Sequence, residues 1–330
     1  MMGLHRLLPG WGRANKTVSL CQGDGHLALA ALSADGQLHT ESTPIASRAE
    51  AAVLLTRWVE QQGLRRAPAV ITLEPGSYSL MQMERPAVET GELAAAVRWR
   101  VRDLIDFPLD EAITDVFELP AHAQRGRTPM INVVVARAEA LRDQVALAES
   151  AGLAPWKIDV AELALRNLVE RQTQGNETVA SLFLMPQRGM IQITRADSLY
   201  LTRVLEYGSE AVISAAREGG GGFGGPYDRV ALELQRTMDY YDSHFGTAPV
   251  KRLIIMPPGE EMAALAAGVG EGVGLPAGIL DVAGLFPRVA GQAALDAHAL
   301  LALGGVLNEH TRARPDKGTQ TEAASAEVGR

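Results

Sequence analysis

The stretch from Asn132 to Val169, NVVVARAEALRDQVALAESAGLAPWKIDVAELALRNLV, constrains the fold more than any other part of the chain. Asn132 to Ala136 is a short apolar, β-branched run of the kind a buried strand needs. From Glu139 the period changes, with Leu141, Val145 and Ala148 on one helical face and Arg142, Asp143 and Glu149 off it. Gly152 ends that helix, because glycine enters the left-handed region without a Cβ clash. Trp156 to Val160 reads as a second strand, and Asp159 is placed to cap a helix carrying Leu163, Leu165, Leu168 and Val169. A strand that passes through a helix to another strand predicts a crossover connection, the core of an α/β domain.

With 330 residues the chain has room for two domains, each with its own core. Aromatic residues make up 5%, so those cores must be built from Leu, Val and Ala. A formal charge of −8 argues against a dedicated nucleic-acid binder. Cys21 is the only cysteine, which excludes an intrachain disulfide and suits a reducing compartment. The first residues lack the apolar core of a secretory signal, and no run reaches the roughly 18 apolar residues that a membrane span needs. The chain is therefore expected in the cytosol unless a partner tethers it. Leu4 to Trp11, LHRLLPGW, is read as a tail, since Pro9 and Gly10 interrupt any amphipathic helix.

The order of elements repeats. Lys16 to Thr40 reads as two hairpins with turns at Gly23-Asp24-Gly25 and Ala34-Asp35-Gly36. A helix over Arg48 to Gln62 and a strand over Ala69 to Leu73 follow. The second half opens alike, with strands at Val179 to Leu184, Met190 to Arg195 and Leu199 to Leu205. Between these halves, Glu89 to Leu104 is expected as a helix and Ala112 to Leu119 as a strand, together a small insert. Helices are expected over Glu210 to Arg217, Tyr227 to Phe245, Glu260 to Val269 and Ala293 to Leu307, the last apolar on nearly every side. From Thr311 the chain is polar without apolar periodicity and reads as a disordered tail.

Two halves that each open with a three-stranded meander resemble the actin-like ATPase (ribonuclease H-like) fold, an α/β architecture of mixed sheets flanked by helices. More narrowly, the chain is similar to the PilM family of type IV pilus assembly, and within it to the MshI branch of mannose-sensitive haemagglutinin pili. The likeness rests on VVVARAEALRDQVALAESAGLAPWKIDVAELAL, on VRDLIDFPLDEAITDVFEL at Val101 to Leu119, and on LELQRTMDYYDSHFGTAPVKRLII at Leu232 to Ile255. ALLALGGVL at Ala299 to Leu307 agrees with the family's closing helix. The resemblance implies a first half over 16–74, an inserted subdomain over 75–120, a completing segment and hinge over 121–172 and a second half over 173–308. Tails occupy 1–15 and 309–330.

An actin-like ATPase cradles phosphates on the backbone of two hairpin turns and organises Mg²⁺ with a carboxylate. In the family pattern the first turn carries an aspartate where this chain has Cys21, followed by Gln22, Gly23, Asp24 and Gly25. Asp24 reaches the same place only after a shift of register. The second turn has Phe183-Leu184-Met185 and then Pro186 in place of an aspartate and a glycine. The Gly-Gly pair that supports adenosine is replaced by Pro257 and Pro258 after Ile255-Met256. The expectation is therefore a chain without cofactor or catalytic residues, a pseudo-ATPase; Mg-ATP binding belongs only to the alternative of an active ATPase. The glycine run at Gly219 to Gly225 lacks the Lys-Ser/Thr of a P-loop and reads as a linker. The seven histidines show no metal spacing, and Asp239, Asp242 and His244 read as a solvated stripe.

What the resemblance implies instead is a scaffold that binds the N-terminal cytoplasmic peptide of a PilN-like bitopic inner-membrane protein, in a cleft beside the insert. The chain would then sit peripherally at the cytoplasmic face of that membrane, with a homo-oligomer left open. Leu104, Ile105 and Phe107 are the candidate contacts, Phe107 foremost because it sits between Asp106 and Pro108 at a helix end. Val97 and Val101 are read as the insert's own core. A cytoplasmic module of a type II secretion platform is the remaining alternative.

Overall fold

The computed structural model describes residues 16–33, 36–120, 128–173, 175–217, 225–245, 248–290 and 295–307. The expectations for 1–15, for 218–224 of the glycine run and for the tail beyond 307 lie outside them. A meander opens the chain: β1 (Lys16–Gly23), β2 (His26–Ser33) and β3 (Leu38–Pro44), each antiparallel to the next. α1 (Arg48–Gln61) follows, N-capped by Ser47, whose hydroxyl accepts from the Glu50 N–H at 3.2 Å. β4 (Pro68–Leu73) then runs parallel to β1.

The chain now leaves this sheet. β5 (Tyr78–Glu84), α2 (Leu93–Val101), β6 (Ala112–Glu118) and β7 (Met130–Arg137) build a separate three-stranded sheet in the order β5-β7-β6, with α2 against one face. α3 (Ala138–Ser150) leads back to β8 (Ala154–Val160), which pairs parallel with β4 at the edge of the first sheet. α4 (Ala161–Gln172) crosses to the second half. There β9 (Thr178–Leu184), β10 (Gly189–Arg195) and β11 (Ser198–Leu205) form a second meander. α5 (Ser209–Arg217) and α6 (Pro226–Phe245) precede β12 (Arg252–Met256), which is parallel to β9. α7 (Glu260–Val273), β13 (Ala277–Ile279), α8 (Val282–Leu285), β14 (Val289–Ala290) and α9 (Ala297–Val306) complete the chain. The two large sheets are ordered β14-β3-β2-β1-β4-β8 and β11-β10-β9-β12-β13, so the C-terminal segment returns to the first half.

The strand–helix–strand reading of Asn132 to Val160 is corrected in one respect. Its two strands do not share a sheet: β7 is the central strand of the small sheet, and β8 is an edge of the large one. An apolar β-branched run shows that a strand is covered on both faces, not which sheet covers it. Asp159 also does not cap α4. Its carboxylate is taken by the Lys157 ammonium at 2.9 Å and the Val160 N–H at 3.1 Å, and the N-cap residue is Val160. The last helix begins at Ala297 rather than Ala293, where the Asp296 carboxylate caps it through the Ala299 N–H at 2.8 Å. The helix expected over Glu89 to Leu104 is α-helical only from Leu93 to Val101, with 3₁₀ turns at both ends. α7 runs on past Val269 to Val273, where Gly274 closes it.

One apolar core joins the halves. α4 and α9 lie between the large sheets, and Leu165, Leu168, Leu300, Leu301, Leu303 and Val306 are all fully buried. α9 approaches its neighbours at two glycines. A Cβ at Gly304 would meet the Ala164 backbone, and one at Gly305 would meet the Ser19 and Thr72 hydroxyls.

Candidate functional site

Between the halves, the β1–β2 turn and the β9–β10 turn come together at a cleft where Glu74 lies against Gly23 and Arg188 reaches the Pro75 carbonyl. Cys21 is fully buried, and its thiol is pushed up well beyond the ordinary range by burial first, then by the Glu74 and Asp296 charges. A protonated thiol is no ligand for Mg²⁺, which takes hard oxygen donors. Glu74, just past β4, is 6% exposed and lies against Gly23, so that a Cβ there would run into its carboxylate. Burial, and then the Asp24 charge, raise Glu74 to about 7, partly opposed by Arg188. Glu74 Oε2 has no hydrogen-bond partner; the nearest cation candidate is His298 Nε2 at 3.7 Å. His298 is itself lowered by burial and by His26, on which it stacks at 4.3 Å. Asp296 is committed to the Ser42 hydroxyl at 2.7 Å and to its helix cap.

The opposite turn is equally committed. Phe183 and Met185 are each 1% exposed, packed in the core with Cys21 and Met256. The backbone carbonyls of Met185 and Pro186 accept the Ser209 and Glu210 N–H groups at 2.8 and 3.0 Å, so the first donors of α5 are already used. The Arg188 guanidinium reaches across the cleft and donates through Nη1 to the Pro75 carbonyl at 2.7 Å. Pro257 and Pro258 follow β12 and lead into α7, where the backbone supplies no N–H at either position. This donor set suits a magnesium nucleotide poorly. Among the described residues, no group of three or more His, Cys, Asp or Glu side chains is placed to hold a metal ion.

A second concavity is open. It lies between the small sheet and β8 and encloses about 90 Å³. Ile113, Asp115 and Phe117 of β6, with Val134 and Ala136 of β7, line one side; these residues pair as Ile113 with Ala136 and Asp115 with Val134, so they share the sheet face opposite α2. The other side is β8 from Trp156 to Val160. Because β8 pairs only with β4 among the described strands, its outer edge carries backbone groups toward this groove. The Lys157–Asp159 ion pair sits in the wall, with Asp159 2% exposed.

The structure separates the candidate contacts from this groove. Val97 and Val101 are fully buried in the insert's core, as read from the sequence. Ile105 and Phe107 pack on that core, Phe107 beneath the Arg137 guanidinium at 4.1 Å, and Leu104 stands 62% exposed. None of the three lines the groove. Asp239, Asp242 and His244 are exposed on α6. Glu74, Arg188 and the Tyr78–Glu162 pair were missed. Each is a lone polar residue next to an apolar strand or turn, and only strand order reveals that they meet.

The type IV pilus assembly protein PilM family model matches residues 18–213. Among solved structures, a PilM–PilN type IV pilus biogenesis complex is similar, with a TM-score of 0.68 and 19% identity over 90% of this chain and 98% of that one. The cytoplasmic domain of EpsL, an inner-membrane component of the Vibrio cholerae type II secretion system, gives 0.50 and 12% over 89% and 95%. No curated protein sequence matches the chain. At these identities the solved structures carry the fold, which is actin-like.

Proposed function

The chain belongs to the type IV pilus assembly protein PilM family, and from that premise we propose that it is a non-catalytic member that works by holding a partner. In this reading it serves pilus assembly of the MSHA type at the cytoplasmic face of the inner membrane. It has no need of a span of its own, and among the described residues no helix is long and apolar enough to cross a membrane. The partner is the N-terminal cytoplasmic peptide of a PilN-like bitopic protein, bound in the groove between the small sheet and β8. The observation that carries the reading is the contrast of the two concavities. The cleft holds the protein's own Glu74, Arg188 and Met185, whereas the groove offers an apolar sheet face beside a strand edge that no described strand pairs. An extended peptide gains backbone hydrogen bonds from such an edge and side-chain specificity from the face. Contacts are thereby assigned to Ile113, Phe117 and Val134 in place of Leu104, Ile105 and Phe107.

Two titrations on the full chain test this. Calorimetry with the synthetic peptide is expected to give saturable binding, and with Mg-ATP none at micromolar concentration. Micromolar Mg-ATP binding would make the chain a nucleotide-dependent member and overturn the non-catalytic reading. A peptide that fails to bind, in the presence or absence of nucleotide, would remove the groove assignment.

A further inference from the structure

Glu74 to Tyr78 is the short covalent link between β4 of the large sheet and β5 of the small one. The groove lies between those two sheets, which are joined by this link and again through α3. The link is fastened at several points. Glu74 packs on Gly23, while its carbonyl accepts the Ser77 hydroxyl at 2.7 Å. The Pro75 carbonyl takes the Arg188 guanidinium at 2.7 Å. Gly76 has φ +98°, and a Cβ there would run into the same guanidinium. The Tyr78 hydroxyl donates to the Glu162 carboxylate and accepts the Ala161 N–H at 3.1 Å. From the second half, Arg188 reaches the link at Pro75 and His298 of α9 lies 3.7 Å from Glu74; Arg188 comes from a hairpin turn which in a nucleotide-binding relative would face phosphate.

Resting on the groove reading above, we propose that Arg188 is a positioning residue for the partner groove: by holding Pro75 and Gly76 it fixes the small sheet against β8, and so couples the second half to peptide binding without touching the peptide. Three features favour this role over anion binding. The guanidinium already has a backbone acceptor, its turn presents the Met185 and Pro186 carbonyls to α5, and the carboxylate beside it is Glu74. A conformational preference of the second half would reach the groove by displacing this contact, because a packed link has discrete arrangements rather than a continuum.

The test uses the full chain and a labelled synthetic peptide of the N-terminal cytoplasmic segment of the PilN-like protein from the same cell. Arg188→Met is expected to weaken binding by roughly five- to tenfold, with Arg188→Lys restoring part of the loss because an ammonium still donates to Pro75. Gly76→Ala, which excludes the guanidinium, is expected to cause the same loss, and the double variant no more than either alone. Amide exchange at 76–78 is expected to quicken in each variant while exchange in α9 stays unchanged, which separates a loosened link from general destabilisation. Arg188→Met should also move the Glu74 titration upward, since Arg188 opposes the burial and Asp24 charge that raise it; Asp24, His26, Asp296 and His298 also surround that carboxylate. Unchanged peptide affinity and exchange in Arg188→Met would overturn the proposal, as would ATP stabilisation of the wild type that Arg188→Met abolishes. A wild type that binds no peptide would instead remove the groove reading, while faster exchange at 76–78 would still report the Arg188 contact.

Discussion

The cleft between the halves and the groove beside β8 are built from neighbouring strands, yet they are filled in opposite ways. β1 and β4 end at the cleft, where Cys21, Glu74, Phe183 and Met185 occupy the space between the hairpin turns. β8, the next strand along, borders a groove whose sheet face keeps Ile113 39% exposed. The difference lies in the neighbours each strand acquires. Beyond β4 the chain turns through Glu74–Gly76 and is met by Arg188 from across the cleft, whereas beside β8 no described strand is added. The cleft is thus occupied by the protein's own side chains, whereas the groove borders a strand edge that no described strand pairs.

The comparison breaks most visibly if the cleft is given back its carboxylate. Cys21→Asp places a carboxylate at a fully buried position beside the Glu74 and Asp296 charges. The expected loss is about 4 kcal/mol of stability, the cost of an unpaired buried charge, read from urea unfolding. No gain of Mg-ATP binding is expected, because the opposite turn still carries Phe183, Met185 and Pro186. A stable variant that binds Mg-ATP would show that one substitution alone had closed the site.

Next in size is the groove. Ile113→Asp removes an apolar side chain that the partner would cover and brings a second carboxylate beside Asp115. Affinity for the peptide is expected to fall by about 2–3 kcal/mol, from lost apolar burial and charge desolvation, while folding is little affected at a partly exposed position. Phe107→Ala is the paired control: it loosens the insert's core beneath Arg137 but leaves the groove lining intact, so peptide affinity should stay within about threefold. The reverse ranking, with Phe107→Ala the more damaging to binding, would return the partner site to the end of α2.

These contrasts also show which parts of the molecule were legible in the sequence. The meanders, α1, α6 and the buried α9 follow from periodicity and turn chemistry, which act within a few residues. Cys21, Phe183, Met185 and Pro257 drew notice because the family resemblance leads one to expect other residue types at those positions. The membership of β7 in the small sheet was not visible, since VVVA is equally apolar whichever sheet it joins. Nor were Arg188 or Glu74, because LEPG and MPQRG are ordinary turn sequences until strand order brings them together. Nor was the setting of Phe107, which is partly buried against the insert's core with the Arg137 guanidinium over its ring.

The smallest expected effect tests how firmly the cleft is closed, and it is read from pH. Glu74 is held at about 7 in the folded protein against an ordinary value of 4.5, mainly by burial and then by the Asp24 charge. The folded state therefore binds the proton more tightly than the unfolded state does. The stability tied to that proton is fully present below 4.5 and is lost as pH rises through about 7. Above that window the buried carboxylate is ionised and disfavoured. Glu74→Gln keeps the shape and removes the titration. Its stability relative to wild type should rise between pH 4.5 and 8 and change little below 4.5, as measured by urea unfolding across that range. An unchanged difference at every pH would mean that water or a cation reaches the Glu74 carboxylate, and the cleft would then be an open site rather than a closed one.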